Sequence, residues 1–99
     1  MESNFLNKKV IIRGDRSGVF FGTLNAKEGQ EVRLTNCRRI WYWSGAASVS
    51  QLAVDGTSDP SNCKFTVVVP EIEILDAIEI LLCSEKAIKS IESVKIWKV

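Results

Sequence analysis

The chain has 99 residues, enough for one domain around one modest core, since a chain of this length buries about 60–70% of its unfolded surface. Its 45% hydrophobic and 25% charged residues are ordinary for a globular protein and argue against disorder, and no apolar run approaches the roughly 20 residues of a membrane span. The net charge of +1 argues against a binder that neutralises a long phosphate backbone. Residues 1–50 nevertheless hold eight Lys/Arg against four Asp/Glu, and residues 51–99 hold five against eight, which gathers positive charge in the first half.

The opening MESNFLNKK has no basic segment followed by an apolar one, so no signal peptide is expected and a cytoplasmic protein is the reading. KKVIIRG (8–14) is a β-branched run that predicts a strand, ended by the turn GDRSG (14–18). VFFGTL (19–24) predicts a second strand, in which Gly22 marks a bulge or a close backbone approach. NAKEGQ (25–30) is the expected hairpin loop. EVRLT (31–35) alternates with Val32 and Leu34 inward, and CRRIWYW (37–43) follows as a fourth strand.

A short helix is expected next, because Ser48-Val49-Ser50-Gln51 fits a capping box and Gly56 is placed to end it. DGTSDPSN (55–62) is rich in turn formers. CKFTVVV (63–69) predicts a strand ended by Pro70, EIEIL (71–75) alternates strictly, and AIEILLC (77–83) is the last long strand. SEKAIKSIESV (84–94) predicts an amphipathic helix capped by Ser84, with Ala87, Ile88, Ile91 and Val94 buried. The tail KIWKV is expected to add a closing strand with Trp97 as a core plug. The sum is one α+β domain over residues 1–99, with a small, mostly antiparallel and barrel-like sheet and two short helices.

Catalytic chemistry is poorly supplied. The chain has no histidine, no Asp/Glu cluster at metal-ligand spacing, no nucleophile elbow around Ser44 and no phosphate-loop pattern. No enzyme, cofactor or metal is therefore expected. The three cysteines share no close pair and are expected to be small buried apolar residues. Only Cys37, beside Arg38 and Arg39, has the cations that would depress a thiol pKa.

RRIWYWSGAAS (38–48) is the candidate ligand site. Strand alternation places Cys37, Arg39, Trp41 and Trp43 on one face and Arg38, Ile40 and Tyr42 on the other, so each face carries an arginine and an aromatic ring. Such a segment also packs a small core, with arginines stacked on rings and their heads in water. As a site, Arg38 and Arg39 would fork a phosphate and Trp41, Tyr42 or Trp43 would stack on a base. Ser44, Gly45 and Ser48 would supply donors from the turn and the helix end. Arg13 and Arg16, in RGDRSG, are further candidates for the rim of a pocket. Glu71, Glu73, Asp76 and Glu79 are expected to make a solvated face or a charged edge.

The segment NCRRIWYWSGAASVSQLAVDGTSDPSNCKF (36–65), preceded by SGVFFGTL and GQEVRL, resembles a family of small uncharacterised proteins from phages and prophages. The likeness runs over roughly residues 9–97. It implies a viral protein acting in an infected bacterial host and carries no assigned activity. Small phage proteins with an anion-and-aromatic pocket are similar in kind, without a shared motif, to sponges that sequester nucleotide immune signals such as cyclic oligonucleotides or ADP-ribose derivatives. The leading expectation is thus a non-enzymatic homo-oligomer that holds a small nucleotide-derived anion, with no membrane partner. Two alternatives stand beside it. The hairpin GVFFGTL…GQEVRLTN resembles Sm-like barrels that bind single-stranded RNA or DNA, and the tryptophans also suit a protein-interaction or virion-associated role with no small ligand.

Overall fold

A computed structural model describes residues 3–99. The first strands form an antiparallel meander, β1 (Lys9–Gly14), β2 (Val19–Glu28) and β3 (Glu31–Tyr42). Helix α1 (Val49–Asp55) and a 3-10 turn at Pro60–Asn62 follow. Then come β4 (Lys64–Phe65), β5 (Val69–Ile74), β6 (Ala77–Leu82) and helix α2 (Glu85–Ser93). β6 pairs with β1, while β5 and β4 divide the free edge of β3 between them, β5 along Val32–Cys37 and β4 along Ile40–Tyr42. The fold is α+β, a six-stranded and mostly antiparallel sheet with two helices.

The sheet is not closed into a barrel. Its order β4–β3–β2–β1–β6, with β5 also on β3, leaves β6 on one edge and β4 and β5 on the other. It is curved enough to enclose a core of its own, however: Val10, Ile12, Phe20, Leu24, Val32, Leu34, Cys37 and Ile74 fill the concave side. The opposite side carries Ile11, Phe21, Ile40 and Phe65 and is covered by Leu52 and Ala53 of α1 and Ala87 and Ile91 of α2. Both faces of the central strands are therefore dry, which explains the unbroken run Val10-Ile11-Ile12.

Both helices start where their caps predict. The Ser48 hydroxyl accepts the Gln51 amide at 3.1 Å, but the Gln51 side chain takes the Ala47 amide at 2.7 Å, one residue before its place in a reciprocal box. Ser84 caps the Ala87 amide at 3.0 Å, and its hydroxyl donates to the Val54 carbonyl at 2.6 Å, hooking the start of α2 onto the end of α1. Ala87, Ile91 and Val94 are buried as the periodicity requires, with Ile88 at the margin.

Four expectations are corrected. NAKEGQ is not a loop: β2 and β3 stay paired through Ala26↔Arg33 and Glu28↔Glu31, leaving Gly29 and Gln30 as the turn of a solvated ribbon. Residues 31–42 are one strand, because the ladder passes through Asn36 as a bulge. Pro70 does not end a strand over 63–69 but lies inside β5. There the register sets it against Asn36 on an edge, where its missing N–H is tolerated. The tail adds only a parallel bridge, Phe65↔Ile96, and Trp97 is 44% exposed rather than a plug. Among the described residues, no helix is long and apolar enough to cross a membrane.

Candidate functional site

Two bulges in β3 decide where the Arg-Trp segment points. At the first, Phe21 pairs with Arg38 and Thr23 with Thr35, so Asn36 and Cys37 together face the single residue Gly22. Asn36 takes a φ of 50°, and a Cβ on Gly22 would stand 3.1 Å from the Cys37 Cα, so the expected close approach is real. The second lies between Ile40↔Phe65 and Tyr42↔Lys64, where Trp41 is the extra residue. A regular strand would send Trp41 and Tyr42 to opposite faces and bury one of them. With the bulge both emerge, 63% and 52% exposed.

Arg38 is only 4% exposed. Its guanidinium donates to four main-chain carbonyls: Thr66 at 3.0 Å, Ile91 at 3.1 Å, Phe65 at 3.1 Å and Lys95 at 3.3 Å. It also lies 5.5 Å from the centre of the Phe65 ring. Burial lowers its pKa by desolvation, and the carbonyl dipoles replace the lost water. Two of these carbonyls, Ile91 and Lys95, flank the last turn of α2, whose negative dipole end the arginine caps. Arg38 thus clamps β4, α2 and the tail together and has no fork left for a phosphate.

The tail held by Arg38 brings Trp97 to Trp41. The Trp97 amide donates to the Phe65 carbonyl at 2.9 Å, and the two indoles stack with centroids 6.0 Å apart and planes inclined by 16°. The Lys64 ammonium stands 5.6 Å from the Trp97 ring centre. Stacked indoles this exposed are unusual in a small protein, since together they leave a flat apolar surface in water. An open groove of about 530 Å³ adjoins the pair and is lined by Ser61, Ser93, Lys95, Trp97 and Lys98 among others. The arrangement suits a planar ring on the indoles and negative charge beside the lysines.

The turn after the strand is occupied by its own chain. Trp43 is half-buried against the helix-side core and donates to the Ala46 carbonyl at 3.2 Å. The Ser44 hydroxyl donates to Asp59 at 2.9 Å, and its carbonyl accepts Thr57 Oγ1 at 2.5 Å. Gly45 has φ +80° and sits against residues 57–59, so that a Cβ there would lie 2.4 Å from the Asp59 amide nitrogen. Ser48 is used as the helix cap, and α1 has only seven residues. Hydrogen bonds from Asn62 and Ser44 hold the Asp59 carboxyl below the usual range, which places an anion in the space expected to receive one. Ser44, Gly45 and Ser48 build the turn and do not open toward a ligand.

The remaining candidates lie elsewhere. Arg39 covers the buried Phe20 ring at 4.6 Å and donates to the Ser17 carbonyl at 2.9 Å. It shares a shallow groove of about 460 Å³ with Arg16, Glu73 and Asp76. Arg13 pairs with Glu79 at 3.0 Å on the β1–β6 edge, away from the tryptophans. Asp76 is a cap: it accepts the Arg16 amide at 2.8 Å and both the amide and the hydroxyl of Ser17, contacts that lower its pKa. The Cys37 thiol is not activated. Burial pushes it up to about 12, and the charge of Arg39 only partly opposes this.

Of the ten residues singled out in the sequence, Trp41 forms part of the exposed platform, and its neighbour Tyr42 is exposed without joining the stack. Trp97, Lys64, Lys95 and Lys98 join it unannounced. The only sequence signal for Lys95, Trp97 and Lys98 was the spacing of the tryptophan and lysines in KIWKV, which reads equally well as an edge strand, and Lys64 in CKF gave none. The family model of a domain of unknown function, DUF6948, matches residues 7–91, most of the chain. No curated protein matches it.

Proposed function

The chain belongs to the DUF6948 family, and from that premise and the geometry of its surface we propose that it binds a nucleotide-derived anion without transforming it. The observation that carries this reading is the exposed Trp41–Trp97 stack with Lys64 beside it. An aromatic platform contributes about 1–3 kcal/mol per stacked base, and a nearby ammonium adds attraction for phosphate. Arg38 is buried, Arg39 is turned to Phe20 and the Ser17 carbonyl, and the turn is self-satisfied, which leaves the platform as the best-exposed aromatic part of the Arg-Trp segment.

The platform offers a ligand one wall. A second copy of the chain, docked with its own platform opposite, would supply the other, so we propose a homo-oligomer with ligands between subunits. Together with the resemblance to phage and prophage proteins, binding without turnover fits sequestration of a nucleotide signal such as a cyclic oligonucleotide or an ADP-ribose derivative.

The test is a thermal-shift and fluorescence screen of these compounds, followed by recovery of the ligand. A ligand at 100 times its Kd stabilises the protein by about 2.7 kcal/mol. It should come back chemically intact after heat release; a cleaved product would place the protein among enzymes. The openness of the platform favours a second reading, a single strand laid across the indoles. Oligonucleotide affinity falling steeply with salt, with no response to small nucleotides, would select it.

A further inference from the structure

We infer that the groove beside Trp97 is the phosphate subsite of this platform, so that the ligand is a phosphorylated nucleoside lying with its base on the indoles and its phosphate against Lys95 and Lys98. The inference rests on the stacking reading above and adds to it a polarity and a substrate class. The groove holds about 530 Å³, ample for a phosphate and its sugar, and shares Trp97 with the platform.

Its electrostatics are one-sided. No carboxylate lines it, whereas Lys95 and Lys98 do; the Ser93 hydroxyl beside them is already donated to the Ser90 carbonyl at 2.6 Å, and that of Ser61 to Asp59. Elsewhere on the surface four cations are paired with acids, Lys9 with Glu92, Arg13 with Glu79, Arg33 with Glu73 and Lys86 with Asp55, while Lys8, Arg16, Lys27, Arg39 and Lys89, away from this groove, are not. Among the described residues, Lys64, Lys95 and Lys98 make no ion pair, which leaves three cations gathered around one indole.

One feature that would repel an anion is offset. The carbonyl end of α2 opens beside the groove at Ser93, but Arg38 caps the Ile91 and Lys95 carbonyls from within. Asp59 precedes the groove residue Pro60 and keeps its negative charge, but it does not line the groove, and its oxygens are engaged by Ser44 and Asn62. Arg38 is therefore a positioning residue here. It holds the tail that carries Trp97 and Lys98 and cancels the unfavourable dipole, without touching the phosphate.

The experiment is a tryptophan-fluorescence titration of the full chain with the four ribonucleosides and their monophosphates at constant ionic strength. For the base that stacks best, the monophosphate is expected to bind about tenfold more tightly than the nucleoside, as two charge-assisted contacts allow. The double variant Lys95→Ala/Lys98→Ala, which removes only side-chain atoms, is expected to keep the nucleoside affinity and lose the phosphate gain. Equal affinities for nucleoside and monophosphate in the unmodified protein would overturn the subsite while leaving the stacking reading intact. Absence of any response to nucleosides and nucleotides alike would overturn both. A phosphate gain that survives the double variant would place the phosphate elsewhere and overturn the assignment.

Discussion

Replacing Arg38 by alanine separates a structural arginine from a ligand-holding one. Its bonds to the Phe65 and Ile91 carbonyls are fully buried, and water cannot replace the guanidinium there without opening the seam between β4 and α2. Both carbonyls keep an amide donor, Trp97 on Phe65 and Val94 on Ile91, so the loss is two charge-assisted hydrogen bonds, roughly 1.5–3 kcal/mol each. Loss of the guanidinium from the Phe65 ring adds about 1 kcal/mol, and freedom from ordering a long side chain returns up to about 2 kcal/mol. The net loss is about 3 kcal/mol, a large share of the 5–15 kcal/mol typical of a domain. In a protein of this size that lowers Tm by roughly 12–24 °C. Arg38→Lys should recover less than half of it, since an ammonium cannot span four carbonyls arranged around a planar fork. Urea unfolding followed by far-UV circular dichroism gives the stability. An Arg38→Ala protein with unchanged urea midpoint and abolished nucleotide binding would refute the reasoning and return Arg38 to the ligand.

Asp76 carries a pH dependence. Its folded pKa lies below the unfolded value near 3.8 because Ser17 and the Arg16 amide bind the carboxylate. Its contribution is complete above that value and disappears as pH falls through the lower folded one. Unfolding free energy measured below about pH 4 should therefore decline more steeply in the unmodified protein than in Asp76→Asn, and parallel curves would contradict the cap. Cys37 and Cys83, each with a thiol pushed up to about 12 by burial, should react with an aromatic disulfide reagent only at the rate of unfolding. Rapid labelling of either in the native protein would show an open core. Gly45→Ala should cost more than Gly29→Ala, although both have positive φ, because a Cβ at Gly45 meets the Asp59 amide whereas at Gly29 nothing lies within 4 Å. The Gly29 change costs about 1–2 kcal/mol for conformation alone; equal losses in urea unfolding would deny the packing of residues 57–59 on the turn.

The helices were legible because their signals are local. Ser48 and Ser84 announce their starts, and the spacing of Ala87, Ile91 and Val94 reports a buried face irrespective of what it meets. The strands were legible as runs, but their joins were not. A bulge at Asn36 leaves no mark that distinguishes it from a turn between two strands, and the polar Asn25–Gln30 stretch hides a paired ribbon behind loop-like composition. The site suffered most from long-range geometry. Alternation alone sends Trp41 and Tyr42 to opposite faces, and only the register against Lys64 and Phe65 exposes both. Arg38 meets four carbonyls whose residues lie 27 to 57 positions away in the chain, a distance over which composition carries no information. Trp97 was assigned to the core for the same reason: a tail tryptophan in a small domain is ballast unless a partner ring holds it at the surface.

The three indole N–H signals in a proton–nitrogen correlation spectrum test the platform most directly, because the fold assigns them different surroundings. Trp43 is bonded to the Ala46 carbonyl and half-buried, while Trp41 and Trp97 stack in the open. On titration with the nucleoside monophosphate that stacks best, the Trp41 and Trp97 signals should shift together along one saturating curve while Trp43 stays in place. A spectrum in which only Trp43 moves, or in which none of the three moves for any nucleotide, would contradict the platform as a binding surface.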